Sequence, residues 1–337
     1  MRTLRAIAFL AAAALAPATA SAQEAPPRRP VSTYSIVAVD SATGQLGAAV
    51  QSHWFGVGSI VTWAEPGVGA IATQSFVEPG YGPRGLHLMR TGIPAPAALA
   101  ALLRADPDSQ VRQVAMIDAA GGVAAHTGSR NIPAAGQYVG RGYSVQANLM
   151  RNDRVWPAMA RAFEATPGDL ATRLLAALDA AEAAGGDIRG RQSAAIVVVS
   201  GSRDDHPWQR IFDLRVEDHP NPLAELRRLV TMARAYRAAT DGDSFVTTGQ
   251  IDSALAAYHR AAAILPDSAT NGELAYWVGV TLADQGRVEE SLPWFRRAFA
   301  LDRGWVELLH RLPAVGLLRA DSTTRARIVR DAAPAGP

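Results

Sequence analysis

The 337-residue chain contains neither cysteine nor lysine. The absence of cysteine excludes a disulfide framework, a cysteine-ligated zinc site, a lipoprotein anchor and a thiol nucleophile. All 33 basic residues are therefore arginine, which is typical of a GC-rich genome. No basic block with interleaved aromatic residues occurs, so the composition does not favour nucleic-acid binding.

The remaining composition is that of a packed globular protein. Hydrophobic residues make up 48% and charged residues 19% of the chain, and the formal net charge is only +2. These proportions do not indicate a disordered chain. The length is sufficient for one large domain and a small second one.

The N-terminal residues have the pattern of a secretory signal peptide. Arg2 and Arg5 precede an apolar run over residues 6–15, and small residues suited to signal cleavage follow at 18–22. The pattern predicts a signal peptide over residues 1–22 and a periplasmic or secreted protein. The apolar run is too short to suggest a membrane span after cleavage, although an uncleaved N-terminal anchor is the alternative.

The next segment, residues 23–32 (QEAPPRRPVS), predicts a flexible lead-in, with ordered structure beginning at Thr33. Short β-rich runs then alternate with helical stretches, the clearest of them at about 154–165 and 169–184. Another buried strand is expected at 193–200 (SAAIVVVS). This order of elements predicts one domain of layered sheets and helices over residues 33–218.

A helical tail is predicted over residues 219–320. Asn221 and Pro222 suit the start of a helix, and the segment 249–261 recurs 37 positions later at 286–298. This repeat resembles tetratricopeptide repeats, stretched by about three residues. Two such units are too few to be stable alone, so we expect the tail to pack on its first helix or on the main domain. Residues 321–337 are expected to be disordered.

Several segments together resemble one family, the domain of unknown function 1028 family, which is grouped with the N-terminal-nucleophile hydrolases. The similarity covers about residues 33–228, with Ala147 at a position where glycine is expected. It is carried by the segments 33–40 (TYSIVAVD), 67–74 (GVGAIATQ), 81–85 (YGPRG), 125–128 (AHTG), 142–148 (GYSVQAN), 186–195 (GDIRGRQSAA) and 218–226 (DHPNPLAEL).

The resemblance implies an α+β fold, a four-layer αββα sandwich, here followed by a small all-α domain. It also implies that Thr33, the first residue of the opening strand, is the candidate nucleophile. Such a threonine uses its own α-amine as the base, because a free α-amine has a pKa near ~7.7–8.0. A second cut between Ser32 and Thr33 is therefore required; otherwise Thr33 is an ordinary strand residue.

Polar residues of the same segments are candidates for the rest of the site. His126 lies at a predicted strand end and is a candidate catalytic residue, or else a structural histidine. Gln146 and Asn148 lie two positions apart on one face of a strand, where their amides are candidate oxyanion donors. Strand-edge hydrogen bonding is the alternative for both.

Candidate substrate-binding residues precede the strand at 193–200. Arg189 suits a substrate carboxylate, and Asp187 suits the orientation of an amine. Gln192 and Ser193 complete this set, and a salt-bridged turn is the alternative. Ser52 and His53 are adjacent in a strand, so they point to opposite faces and do not make a Ser–His pair.

No ligand spacing indicates a metal, and no pattern indicates a cofactor. The leading hypothesis is an amidohydrolase that acts on a small amide-containing substrate through an acyl-enzyme on Thr33. The alternative is a non-catalytic scaffold whose helical tail binds a protein or cell-wall partner. A third hypothesis is an adaptor that captures its partner through the repeats; deletion of residues 223–337 should then abolish partner capture and leave a folded remainder. An oligomer is compatible with each hypothesis.

Overall fold

The computed structural model describes residues 29–334. The predicted signal peptide and residues 23–28 of the lead-in lie outside this range. Ten strands in the described residues form two antiparallel sheets. The strands are β1 (Thr33–Val39), β2 (Leu46–Ser52), β3 (Thr62–Glu65), β4 (Gly69–Ser75), β5 (Arg112–Asp118), β6 (Val123–Thr127), β7 (Gly136–Gly140), β8 (Tyr143–Ala147), β9 (Ser193–Val199) and β10 (Arg210–Val216).

Eleven α-helices accompany the strands within residues 29–334. They are α1 (Gly58–Val61), α2 (Tyr81–Arg90), α3 (Ala95–Ala105), α4 (Val155–Ala165), α5 (Leu170–Ala183), α6 (Pro222–Thr247), α7 (Ile251–Ile264), α8 (Glu273–Asp284), α9 (Val288–Leu301), α10 (Gly304–Arg311) and α11 (Ser322–Ala332). The fold is therefore of the mixed α+β type.

The six-stranded sheet has the order β10-β9-β2-β1-β8-β7, and the four-stranded sheet has the order β3-β4-β5-β6. Alternate residues of β1 belong to different apolar clusters, because successive side chains of a strand point to opposite faces. Ile36 packs on the helix side of the sheet with residues of α4 and α5, and Val37 packs between the two sheets. Helices α2 and α3 cover the other face of the four-stranded sheet.

Both faces of β1 are thus covered, which explains why its second half, residues 36–39 (IVAV), is continuously apolar rather than alternating. Helix α5 starts with a capping residue, since Asp169 Oδ1 accepts a hydrogen bond from the Thr172 backbone N–H at 2.9 Å. Gly47 in β2 lets this helix approach the sheet: a Cβ at this position would lie 3.0 Å from Leu174 Cδ1.

The helical tail is joined to the main domain through α6. The first half of α6 contributes Leu223, Leu226 and Val230 to the apolar cluster beneath the six-stranded sheet. Its second half packs on α7, where Ala235 meets Ala261. The two copies of the sequence repeat begin just before α7 and α9 and cover most of each helix.

Two expectations about the chain ends require correction. Residues 322–332, expected to be disordered, form α11, because Asp321 caps the helix and Ile328 is buried in the tail core. Val31 and Ser32, assigned to the flexible lead-in, are buried. Val31 is buried because it pairs with Ser75 at the end of β4 and packs between the sheets.

Candidate functional site

The space between the sheets changes character where β1 begins. Toward the end of β1 it is filled by valine, leucine and alanine, whereas around Thr33 the inward-facing positions are polar. This polar layer consists of fully buried side chains from five strands: Thr33, Ser35, Ser52, Gln74, Gln113, Ser144 and Gln146. A buried polar layer is stable only when its members satisfy one another.

Gln74 is the centre of the polar layer. Its Oε1 accepts a hydrogen bond from Ser35 Oγ at 2.6 Å, and its Nε2 donates to Gln113 Oε1 at 2.6 Å and to the Thr33 carbonyl oxygen at 3.2 Å. Gln146 Nε2 donates to Ser35 Oγ at 2.6 Å, and Asn148 Nδ2 donates to Gln113 Oε1 at 2.8 Å. These bonds connect the two sheets directly beneath Thr33.

Thr33 itself has no exposed surface in the chain that retains residues 29–32, which we call the leader segment. Its Oγ1 donates to the Val31 carbonyl oxygen at 2.8 Å. Its own carbonyl oxygen accepts from the Asn148 backbone N–H at 3.1 Å. The leader segment therefore covers the hydroxyl group, and a substrate reaches it only after this segment is displaced.

The carbonyl group of Ser32, immediately before Thr33, is held by two side chains. Its oxygen accepts a hydrogen bond from Arg189 Nη2 at 2.6 Å and from Ser52 Oγ at 2.5 Å. Arg189 is positioned by Asp187, whose fully buried carboxylate accepts from the Arg189 side chain at 2.7 and 3.0 Å. Hydrogen bonds from a cation and a hydroxyl polarise a carbonyl group and stabilise negative charge on its oxygen.

A cleft of about 490 Å³ lies beside this carbonyl. Arg29 and Pro30 of the leader segment form part of its wall, and Arg189 lies in the wall as well. The other lining residues are His53, Trp54, Phe55, Ile132, Leu149 and Gln192. The cleft gives the leader segment a path to solvent and is large enough for a small ligand.

The backbone around the site is strained at two positions. Ser75 has a φ of 70° and Leu149 a φ of 57°, both in the left-handed region that residues other than glycine rarely occupy. Ser75 pairs with Val31 of the leader segment, and Leu149 lines the cleft. Strain of this kind costs about 1–3 kcal/mol and is concentrated at functional sites.

Several polar atoms beside Thr33 have no hydrogen-bond partner among the described residues, although they are buried. They are Ser32 Oγ, Ser75 Oγ and Asn148 Oδ1. A buried polar atom without a partner costs about 1–3 kcal/mol, so such atoms usually indicate bound water, a ligand or a reactive site.

The structure brings most of the predicted site residues to this end of β1. Gln146 and Asn148 lie in or beside the polar layer, and Asp187 and Arg189 hold the Ser32 carbonyl. Ser193 is buried and accepts a hydrogen bond from the Val57 backbone N–H at 3.2 Å, while Gln192 lines the cleft and donates to Asp218. Their catalytic and substrate-binding roles remain predictions.

His126 is separated from this group. It lies directly opposite Val114 in the β5–β6 register, so both side chains point to the same face of the four-stranded sheet. That face is covered by α2 and α3, whereas Thr33 faces the space between the sheets. His126 Nε2 lies 2.8 Å from the Ser109 carbonyl oxygen.

Sequence reasoning missed Ser52, Gln74 and Gln113. Ser52 has no local signal, because its contact with the Ser32 carbonyl joins residues 20 positions apart. Gln74 and Gln113 carried a usable signal, because each is a large polar residue at an inward-facing position of a buried strand.

Within residues 29–334, no group of three or more histidine, aspartate or glutamate side chains is arranged to hold a metal ion. None of the helices in that range has the length and apolar character needed to cross a membrane.

The two sheets, their covering helices and the buried start of β1 define an α+β protein with a helical extension. A model of the family of unknown function DUF1028 matches residues 33–226, more than half of the chain, and the protein belongs to this family. The matched region ends within α6, so most of the helical tail lies beyond it. No curated protein matches the chain.

The chain is also similar to a protein of known structure that carries the same family assignment. This is a protein from Silicibacter pomeroyi whose crystal structure has 32% sequence identity and a TM-score of 0.54. The similarity covers 60% of the present chain and 89% of the other chain.

Proposed function

We propose that the protein is an amidohydrolase that is activated by cleavage of its own Ser32–Thr33 bond and then uses Thr33 as an N-terminal nucleophile. The observation that carries the proposal is the Ser32 carbonyl group. It immediately precedes the candidate nucleophile, and its oxygen is held by Arg189 and Ser52 in the manner of an oxyanion site.

In the activation reaction, Thr33 Oγ1 attacks the Ser32 carbonyl carbon, and Arg189 and Ser52 stabilise the negative oxygen that forms. The C–N bond then breaks, and the hydroxyl proton ends on the Thr33 nitrogen. The product is an ester between Ser32 and Thr33 Oγ1. Water hydrolyses this ester to a Ser32 carboxylic acid and a free Thr33 hydroxyl.

After activation, the new α-amine of Thr33 is the base for substrate hydrolysis, because its pKa lies near working pH at ~7.7–8.0. The hydroxyl attacks a substrate amide, an acyl-enzyme forms, and water releases the acid. We assign Asn148 Oδ1 to the binding of the new amine, since this buried acceptor has no partner among the described residues and the Asn148 backbone N–H already donates to the Thr33 carbonyl oxygen.

Three features of wider organisation belong to the same proposal. The order helix, sheet, sheet, helix across the main domain supports a four-layer αββα sandwich of the N-terminal-nucleophile type. The coincidence of the repeat with α7 and α9 supports a tetratricopeptide-like tail, and such a surface suits a protein or cell-wall partner. The N-terminal pattern supports export.

The test is the N-terminus of the protein recovered from an exporting host, read by intact mass and N-terminal sequencing. We expect a chain that begins at Thr33 for the wild type and for Thr33→Ser, and a longer chain for Thr33→Ala. Thr323→Ala, at an exposed position of α11, is the matched control and should be cleaved normally.

The mature protein is then assayed on a panel of small amides. Turnover by the wild type but not by Thr33→Ala supports the proposal. A wild-type chain that begins ahead of Thr33 and stays uncleaved contradicts it, and would favour the non-catalytic scaffold with a partner-binding tail.

A further inference from the structure

The leader segment identifies the class of acyl group that the site accepts, an inference that rests on the proposed function. Cleavage of the Ser32–Thr33 bond passes through an ester in which the leader is the acyl group on Thr33 Oγ1. Hydrolysis of an amide substrate passes through an ester on the same oxygen. The contacts that hold Val31 and Ser32 therefore surround the position that a substrate acyl group must occupy.

The backbone contacts of the leader are those of a peptide. The Val31 N–H donates to the Ser75 carbonyl oxygen at 2.7 Å, and the Ser75 N–H donates to the Val31 carbonyl oxygen at 3.0 Å. This pair of bonds is an isolated antiparallel bridge outside the regular strands. Ser75 presents its N–H and C=O groups from a strained backbone. The bridge therefore favours a peptide-like acyl group, in which the residue before the reacting carbonyl has its own N–H and C=O.

The side-chain contacts select further. Val31 is only 2% exposed and packs in the apolar cluster between the sheets, which includes Val50 and Val57. Ser32 is fully buried, yet its hydroxyl has no partner among the described residues. The position of Ser32 therefore requires a small side chain but not its hydroxyl, whereas the position of Val31 requires an aliphatic one.

The leader continues from Val31 toward the 490 Å³ cleft, whose wall includes Arg29 and Pro30. A longer acyl chain can therefore leave the site on the same path. We propose that the substrates are peptides or peptidyl amides that are cleaved after a small residue preceded by a branched aliphatic residue. Cleavage leaves the leader with a new carboxylate that faces Arg189, so the released leader is itself a ligand of this acyl-binding site.

The test uses the chain from Thr33 to Pro337, which retains every strand and helix of the structure, with Thr33→Ala to prevent turnover. The probe is the peptide acid acetyl-Arg-Pro-Val-Ser, and binding is measured by isothermal titration calorimetry. The matched control probes replace only the valine by aspartate or only the serine by leucine.

We expect each control peptide to bind about 10- to 100-fold more weakly than the valine–serine peptide, because one loses the burial of an aliphatic side chain and the other is too large. Equal binding of the three peptides, or no binding of the valine–serine peptide, would overturn the inference.

The same sequences are then offered as aminocoumarin amides to the active chain that begins at Thr33. A kcat/KM at least about 10-fold higher for the valine–serine amide supports the inference, since a subsite contact discriminates by that order. Turnover without this preference overturns the subsite assignment and leaves the proposed function intact. Selective peptide binding without any turnover contradicts the proposed function but supports the acyl-binding site.

Discussion

Replacing Gln74 with leucine tests whether the polar layer is a coupled network that positions Thr33. Leucine approximates the volume of the glutamine side chain but removes its four hydrogen bonds, of which the three shorter ones join Ser35, Gln113 and the Thr33 carbonyl oxygen. The loss in the free energy of unfolding depends on which partners of Gln74 keep another hydrogen bond. Partners that keep one should contribute little to the destabilisation.

Two of the three partners keep a second bond. Gln113 Oε1 still accepts from Asn148 Nδ2 at 2.8 Å, and the Thr33 carbonyl oxygen still accepts from the Asn148 backbone N–H at 3.1 Å. Ser35 loses the only acceptor that the described residues provide for its hydroxyl proton. One orphaned donor at ~1–3 kcal/mol and two weakened acceptors at ~0.5 kcal/mol each give a loss of about 2–4 kcal/mol in the free energy of unfolding.

The assay is native-state hydrogen exchange of β1, β4 and β5, which reports the unfolding of the main domain separately from that of the tail. The control is Gln45→Leu, at a half-buried position where the glutamine side chain makes no hydrogen bond to the described residues, and it is expected to change the free energy of unfolding by less than about 0.5 kcal/mol. A loss below about 1 kcal/mol for Gln74→Leu would refute the reasoning.

A double-mutant cycle with Ser35→Ala gives a second criterion. Alone, Ser35→Ala removes the partner that the described residues provide for Gln146 Nε2 and for Gln74 Oε1, whereas in the double variant neither Gln74 Oε1 nor the Ser35 hydroxyl remains. The double variant should therefore lose less than the sum of the single losses, by about 1 kcal/mol or more. Strict additivity would show that the two residues do not interact as described.

Two further predictions concern pH dependence and the tail. Burial alone would raise the pKa of Asp106, but hydrogen bonds from Arg112, the Asp108 N–H and Tyr81, together with the charge of Arg112, hold it below its usual value. The stabilisation is therefore present above the unfolded pKa of ~3.9 and is lost as pH falls through the lower folded pKa. In urea unfolding, Asp106→Asn should be less stable than the wild type by about 2–3 kcal/mol at pH 7, and this difference should shrink below about pH 4. A difference that is independent of pH would contradict this prediction. Phe295→Ala, in the core of the tail, should lower the free energy of unfolding of the tail by about 3–5 kcal/mol and lower its melting transition in calorimetry. An equal shift of the main-domain transition would show that the two unfold together.

Local sequence pattern was sufficient for the elements whose signals lie within a few residues. The pair α4 and α5, strand β9 and the start of α6 at Pro222 agree with the sequence expectations. Strand β7 (Gly136–Gly140) was missed, because three of its five residues are glycine or glutamine and give no β pattern. Helix α6 extends to Thr247, because packing on α7 stabilises its second half.

The sequence by itself determined the mixed α+β class, the position of Thr33 at the start of the first strand, and the repeat in the tail, because composition, periodicity and motif order are local properties. Only the tertiary structure decided what surrounds Thr33. The contact between Arg189 and the Ser32 carbonyl joins residues 157 positions apart, and the register of β5 and β6 turns His126 to the opposite face of its sheet. Such contacts depend on how the sheets pack, and sheet packing is fixed by the burial of many side chains together rather than by any single segment.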